Sequence, residues 1–214
     1  MSKLTKITHL TSVHKRYDTR IFFKECTSLA KIKNYQVNLI VADGIGDESI
    51  NKVDIYDIGL SKGRLHRIFS ITKKIYQKAL YLNSDIYHIH DPELIYVGFK
   101  LKQNGKKVIF DSHEDITEDI LIKMWIPYFL RKPISLFYSF FERYYCKKLD
   151  TIIAATPYIR EKFIKKGINA ITINNFPIIS QSTLKESNWD KKKQEICYIG
   201  SISKERGILQ IIQA

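Results

Sequence analysis

Residues 85–114 read DIYHIHDPELIYVGFKLKQNGKKVIFDSHE. An alternating apolar run, DIYHIH at 85–90, gives way to a helical pattern over 92–104 that stops at Asn104-Gly105, and a second apolar run, KVIFD, follows at 107–111. Proline in the first helical turn and glycine just past the last mark the ends. The missing N–H of proline is harmless there, and glycine takes up the left-handed conformation that closes a helix. Strand, helix and strand in this order form a βαβ unit, whose two strands run parallel.

The same rhythm extends in both directions. Strand-like runs recur as KITHL at 6–10, QVNLIVA at 36–42, VDIYDI at 53–58, TIIAA at 151–155, AITIN at 170–174 and EICYIG at 195–200. Between the first two, Ile21, Phe22, Glu25, Cys26, Leu29 and Ile32 repeat at three- and four-residue spacing, with Asp18 or Thr19 placed to cap the start. Further helical patterns cover 63–82 and 157–166, the latter stopping at Gly167. The expected class is α/β with a doubly wound parallel sheet. One domain is expected over 1–178 and a polar linker over 179–194. Residues 195–214 read as the incomplete start of a second α/β domain.

A chain of 214 residues, 44% hydrophobic and 27% charged, is a globular protein rather than a disordered, fibrous or repeat one. The formal charge of +13 points to anionic partners. Cys26, Cys146 and Cys197 are odd in number and lack metal-ligand spacing, so neither a disulfide framework nor a zinc site of that kind is expected, and a reducing, cytoplasmic compartment is the default. The N-terminus lacks the pattern of a signal peptide and no run is long enough to span a bilayer, so membrane contact is expected to be peripheral.

In an open parallel sheet, ligands bind beyond the carboxyl ends of the strands. The segments that follow three of the strands are unusually polar: Thr11 to Arg20, His90 to Glu93, and Asp111 to Asp115. The first contains no glycine, so the dinucleotide fingerprint is absent and an NAD or FAD enzyme is disfavoured. Arg16, Arg20 and Lys24 offer cationic donors to phosphate, although Lys24 reads better as solvated. For Asp18, capping and ligand contact fit equally. His88 and His90 share one face of their strand, His88 as a core histidine and His90 with the better claim to function; Asp91 fits either a cap or a site. His113, in a loop after an apolar strand, is the leading candidate, with Glu114 beside it.

Residues 61–81 carry six Lys or Arg and no acid, and residues 122–148 carry nine aromatics, six Lys or Arg and one acid. Such a combination suits an anionic membrane surface. Phe137, Phe141 and Tyr144, at helical spacing, are expected to pack against the sheet. Trp125, Tyr128 and Phe129 are the candidates for insertion.

These motifs, His14 to Glu25 (HKRYDTRIFFKE), Ser28-Leu29-Ala30, Tyr35-Gln36-Val37, HIHDPE at 88–93, DSHE at 111–114, Asn175-Phe176-Pro177, Tyr198-Ile199-Gly200 and Arg206-Gly207, resemble the family 4 glycosyltransferases of the two-domain GT-B fold. The resemblance implies a Rossmann-like acceptor-side domain, a second domain that binds the nucleotide-sugar donor, and retaining glycosyl transfer in bacterial polysaccharide assembly. By it, His113 contacts the donor sugar as the catalytic residue, Asp18, Arg20, Gly200 and Arg206 belong to the donor site, and His90, Asp91 and Glu114 to the acceptor side. The acceptor is a saccharide or polyprenyl-linked saccharide, and neither metal nor other cofactor is implied. The family's donor-side glutamate motif has no counterpart here, so the chain reads as a truncated or split transferase, inactive alone, with a separate polypeptide as one possible source of the donor domain. Two rival readings remain open: a metal-dependent hydrolase using His88, His90, Asp91, His113 and Glu114, and a non-catalytic acceptor- or membrane-binding domain. Nucleic acid is not an expected partner, since the basic residues are dispersed and no recognised motif is present.

Overall fold

The computed structural model describes residues 3–179, 190, 193–200, 202 and 207–213. It divides into a large unit, residues 1–177, and a small one, residues 178–214.

The large unit is built on one sheet of eight strands: β1 (Thr5–Leu10), β2 (Tyr35–Val41), β3 (Glu48–Ile50), β4 (Val53–Asp57), β5 (Ile86–Ile89), β6 (Lys107–Ser112), β7 (Thr151–Ala154) and β8 (Ala170–Thr172). Their order is β3-β4-β2-β1-β5-β6-β7-β8, parallel throughout except for β3, a short antiparallel strand at the edge that the apolar pattern does not announce. From β1 the chain winds outward to β4, then returns to place β5 on the other side of β1. This reversal makes the sheet doubly wound, as expected.

Helix α1 begins with wide, five-residue hydrogen-bonded turns over Thr19–Cys26 and ends in the turn Thr27–Leu29. Among the described helices it lies alone on one face, where Ile21, Phe22 and Cys26 pack on Val37, Leu39, Val41, Val53 and Ile55. The other face is covered by α2 (Arg64–His66, Arg67–Ile71 and Thr72–Leu82 in succession), α3 (Pro92–Leu94 and Ile95–Gln103), α5 (Tyr128–Cys146) and α6 (Pro157–Lys165). A short α4 (Ile116–Ile122) packs beside α5. Leu10, Ile40, Tyr87, Ile89, Val108, Phe110 and Ile152 project from the strands into this larger core. Gly98 lets α3 approach the sheet closely: a Cβ there would stand 2.9 Å from Ile89 Cδ1 and 3.1 Å from Val108 Cγ1.

Because side chains alternate along a strand, the residues between those core positions face α1. At the centre of the sheet they are His9, His88, His90 and Asp111, a polar layer where an apolar one is usual. Of the aromatics expected to pack against the sheet, only Phe141 does so; Phe137 and Tyr144 are 74% and 57% exposed. The reason is that α5 spans 19 residues, and its apolar positions wrap more of its circumference than one buried stripe can hold.

In the small unit, residues 195–200 are irregular rather than the expected strand, and Ile208–Gln213 form the helix α7. A strand needs a hydrogen-bonded neighbour, and none exists among the described residues of this unit. Most of the expected linker, and Arg206, lie outside the described residues. Cys26 and Cys146 are buried free thiols and Cys197 an exposed one.

Candidate active site

The order of strands reverses between β1 and β5, and a cleft of about 540 Å³ opens beyond their carboxyl ends. It is lined by His14, Asp18 and Arg20 after β1, by His90, Asp91 and Glu93 after β5, and by Asp111, His113 and Glu114 at the end of β6. The three polar segments of the sequence thus meet in one cavity.

The floor of the cleft is a buried ion pair. Arg20 donates from Nε to Asp111 Oδ2 at 2.8 Å, from Nη2 to Oδ1 at 2.9 Å, and from Nη1 to the Ile173 carbonyl at 3.2 Å. Burial would raise the pKa of Asp111, but the neighbouring His90 and the hydrogen bonds from Arg20 outweigh it and hold the carboxyl well below the usual carboxylate range. Glu25 Oε1 lies 3.1 Å from Arg20 Nε. The wide turns of α1 bring these two residues, five apart, onto one face. Burial, then the charge of Asp111, push the Glu25 carboxyl up to about 9. At neutral pH the negative charge of this pair therefore stays on Asp111.

His113 stands at the wall. Its Nδ1 is 3.5 Å from Asp111 Oδ1, its ring stacks on His90 at 6.0 Å, and it meets His14 edge-on at 5.8 Å. Neither ring nitrogen has a hydrogen-bond partner. Burial lowers its pKa to about 4 against the opposing pull of Asp111, so the imidazole is neutral at pH 7. A neutral imidazole carries one donor and one acceptor; both nitrogens are buried here, so a bound hydroxyl or phosphate would meet them once the ring turns into the cleft.

Asp18 both caps and lines the cleft: its Oδ1 accepts from the backbone N–H of Arg20 at 2.8 Å and Ile21 at 2.9 Å, and its Oδ2 lies 3.3 Å from His14 Nδ1. Asp91 makes no side-chain cap; its Oδ2 instead accepts from Thr11 Oγ1 at 2.9 Å and from the backbone N–H of Ser12. It ties the loop after β1 to the turn after β5. Glu93 extends this tie, accepting from Ser12 Oγ at 2.9 Å and Arg67 Nε at 2.6 Å. Burial, then Asp119, raise the pKa of Glu114.

Arg16 does not offer a cation to the cleft, because it is spent on Asp43, Glu48 and the Gly46 carbonyl. Lys24 is likewise engaged, donating to Asn175 Oδ1 and the Phe176 carbonyl, both at 2.6 Å.

Behind the ion pair lie His9, His88 and His90, with His9 Nδ1 2.9 Å from His90 Nε2. Two overlapping groups have the spacing to hold a metal ion, His9 with Glu25, His88 and His90, and His90 with Asp111 and His113. The five residues of the hydrolase reading are therefore not gathered into one ligand set, for Asp91 and Glu114 point to other partners. The sequence pattern singles out neither His9 nor Glu25 as a site residue, and it includes His14 only within the polar segment Thr11 to Arg20. His9 sits in an ordinary strand, and only its register opposite His88 reveals its setting.

Next to the cleft, and sharing Arg67, Pro92 and Glu93 with it, is a groove of about 670 Å³ lined by Ile68, Phe69, Tyr96, Val97, Phe137 and Phe141, with Lys73 and Lys100 among its cations. Trp125, Tyr128 and Phe129 are exposed nearby in sequence to Phe137, and Arg64 stacks on the Trp125 ring at 3.8 Å. No described helix is long and apolar enough to cross a membrane.

A doubly wound α/β unit with a polar cleft at its switch point is the Rossmann-like architecture found in GT-B proteins. The sequence profile of Glycosyltransferase Family 4 matches residues 20–176, and the chain belongs to that family. Comparison with curated proteins found no match. Among solved structures, the chain is similar to a sucrose-phosphate synthase from Thermosynechococcus elongatus, with a TM-score of 0.58 at 11% identity over 79% of this chain and 48% of that one. It is similar also to a trehalose-6-phosphate phosphatase N-terminal domain from Candida albicans, with a TM-score of 0.52 at 13% identity over 79% and 48%. A third similar structure is a UDP-N-acetylglucosamine 2-epimerase from Rickettsia bellii, with a TM-score of 0.51 at 11% identity over 79% and 44%. The chain thus spans about half the length of these structures, and at such identities the likeness is one of fold.

Proposed function

We propose that this chain is the acceptor-side part of a retaining glycosyltransferase that moves a sugar from a nucleotide diphosphate sugar to a polyprenyl-linked or other saccharide in cell-surface polysaccharide synthesis. The observation that carries the reading is the neutral His113, neither nitrogen with a hydrogen-bond partner, in a cleft at the switch point of the sheet. In this reading His113 contacts the donor sugar as positive charge grows on it, with Asp18 and Arg20 on the donor side and Gly200 and Arg206 at the donor-domain entrance. Arg20 acts through Asp111, fixing the carboxylate beneath the reacting sugar. His90, Asp91 and Glu114 shape the acceptor side. Basic groups and helix N-termini stabilise the departing phosphate, so the transfer itself calls for no metal or other cofactor.

The apolar groove that abuts the cleft supports a lipid-linked acceptor: a polyprenyl chain would lie along Phe69, Phe137 and Phe141 with its phosphates near Arg67 and Lys73. The exposed Trp125, Tyr128 and Phe129 support peripheral attachment to the anionic inner face of the cytoplasmic membrane. Turnover in this reading needs a nucleotide-sugar-binding domain, carried by the same polypeptide or by another.

The test is hydrolysis and transfer from a panel of nucleotide sugars by three proteins: this chain, one extended by a complete donor domain, and the extended chain carrying His113→Ala. Activity restored by the extension and lost with His113 is expected. Equal activity in the shorter chain would overturn the need for a donor domain, and silence from all three would overturn the transferase reading.

A further inference from the structure

We infer that His9, His88, His90 and Glu25 form a closed binding site for a divalent transition-metal ion, with zinc the best suited, buried behind the floor of the cleft.

Glu25 Oε2 is buried and has no hydrogen-bond partner. It faces three ring nitrogens at one distance, 3.7 Å to His9 Nδ1, 3.7 Å to His88 Nδ1 and 3.7 Å to His90 Nε2. That spacing is too long for a hydrogen bond. It is close to the edge of a tetrahedron of ligands around zinc, about 3.3 Å for metal–ligand bonds of about 2.0–2.1 Å. The remaining measured edge, His9 Nδ1 to His90 Nε2, is 2.9 Å, and one ligand atom from each of the four residues lies within 4.8 Å of the others. Each of these four edges lies within about 0.4 Å of the tetrahedral value.

Three of the ligands stand on the adjacent strands β1 and β5 and the turn that follows, and the fourth on the helix packed over them, so the set is held by rigid elements. Three imidazoles and one carboxylate suit zinc better than magnesium or calcium, which prefer oxygen. A carboxylate stands behind one of the ligands. His90 Nδ1 has no hydrogen-bond partner and lies 3.5 Å from Asp111 Oδ2, which is fixed in turn by both nitrogens of the Arg20 fork; a small turn of the ring would complete the carboxylate–histidine–metal arrangement that orients a ligating imidazole. Four protein ligands leave no open position, so the ion is structural and does not activate water. Its effect on the cleft runs through His90, whose orientation it fixes and against which His113 stacks.

The untagged full chain is dialysed against chelator, re-equilibrated with zinc or cobalt, freed of excess and assayed for metal content and visible absorption. About one equivalent of zinc is expected, with the intense visible absorption of four-coordinate cobalt in the cobalt form. Glu25→Gln and His88→Gln should each weaken binding by at least about a hundredfold, whereas His113→Ala should keep the ion. Wild-type protein holding less than a tenth of an equivalent, or showing only the weak absorption of six-coordinate cobalt, would overturn the proposal. So would unchanged affinity in both ligand variants, or loss of the ion with His113→Ala, which would place it on the other group. Should the ligand variants fail to fold, the stoichiometry and spectrum of the wild-type protein decide the matter.

Discussion

Arg20→Met removes the guanidinium that neutralises Asp111 while keeping an unbranched apolar side chain in its place. Asp111 is fully buried and takes two hydrogen bonds of 2.8 and 2.9 Å from Arg20. Glu25 cannot substitute as a counter-charge, because it is itself a carboxyl. Removing one partner of such a pair costs about 3–5 kcal/mol, since the other charge is left uncompensated. For a domain of this size each kcal/mol lowers Tm by about 2–4 °C, so a fall of about 6–20 °C is expected. The double variant Arg20→Met/Asp111→Leu removes both charges and should recover most of the loss. Acid should narrow the gap as well. The native pKa of Asp111 lies below its unfolded value, so the pair stabilises the fold above the unfolded pKa of about 3.9, and that contribution fades as the pH falls below it. The assay is urea unfolding followed by far-ultraviolet circular dichroism at pH 7 and at acid pH. A single variant within about 1 kcal/mol of wild type at pH 7, or a double variant no more stable than the single, would refute the reasoning.

Three further outcomes are expected. His113, with a native pKa of about 4 against about 6.5 unfolded, refuses a proton that the unfolded chain accepts, so stability should decline as the pH falls from 6.5 to 4. The decline is at most about 3 kcal/mol, and His113→Gln should flatten it when ΔG is measured across that window; an unchanged slope would count against a buried neutral imidazole. Gly98→Ala, whose new methyl would meet Ile89 Cδ1 at 2.9 Å, should cost about 1–3 kcal/mol in chemical unfolding, and a cost near zero would mean that α3 has room to move. Replacing Trp125, Tyr128 and Phe129 together by alanine should lower co-sedimentation with acidic vesicles at least about tenfold while leaving circular dichroism unchanged; full recovery of the wild-type protein in the supernatant at low salt would reject membrane docking.

The groove and cleft meet through Arg67, Pro92 and Glu93, so the same turn that ends β5 serves both a polar and an apolar cavity. Proline opens α3 without needing a backbone donor, and Asp91, just before it, turns away from the helix to hold the loop after β1. One short segment thereby couples the geometry of the proposed acceptor path to that of the loop that carries His14 and Asp18.

The amino-acid sequence by itself determined the winding of the large unit, because period-two runs and amphipathic helices alternate and are bounded by residues such as Pro92, Gly105 and Gly167 whose backbone preferences are local. It also marked His90, Asp91, His113 and Glu114, since polar residues at the ends of apolar strands in a parallel sheet have one common destination. Strand register and packing decided the rest. His9 is separated from His88 by nearly eighty residues, and only the pairing of β1 with β5 sets them side by side. Glu25 reads as one more polar position on an amphipathic helix until the wide turns of α1 lay it over three histidines and beside Arg20. Whether Arg20 met a phosphate or a buried carboxylate was likewise a tertiary matter, because a guanidinium's partner is chosen by which acceptor the fold leaves without water, and here that acceptor is Asp111.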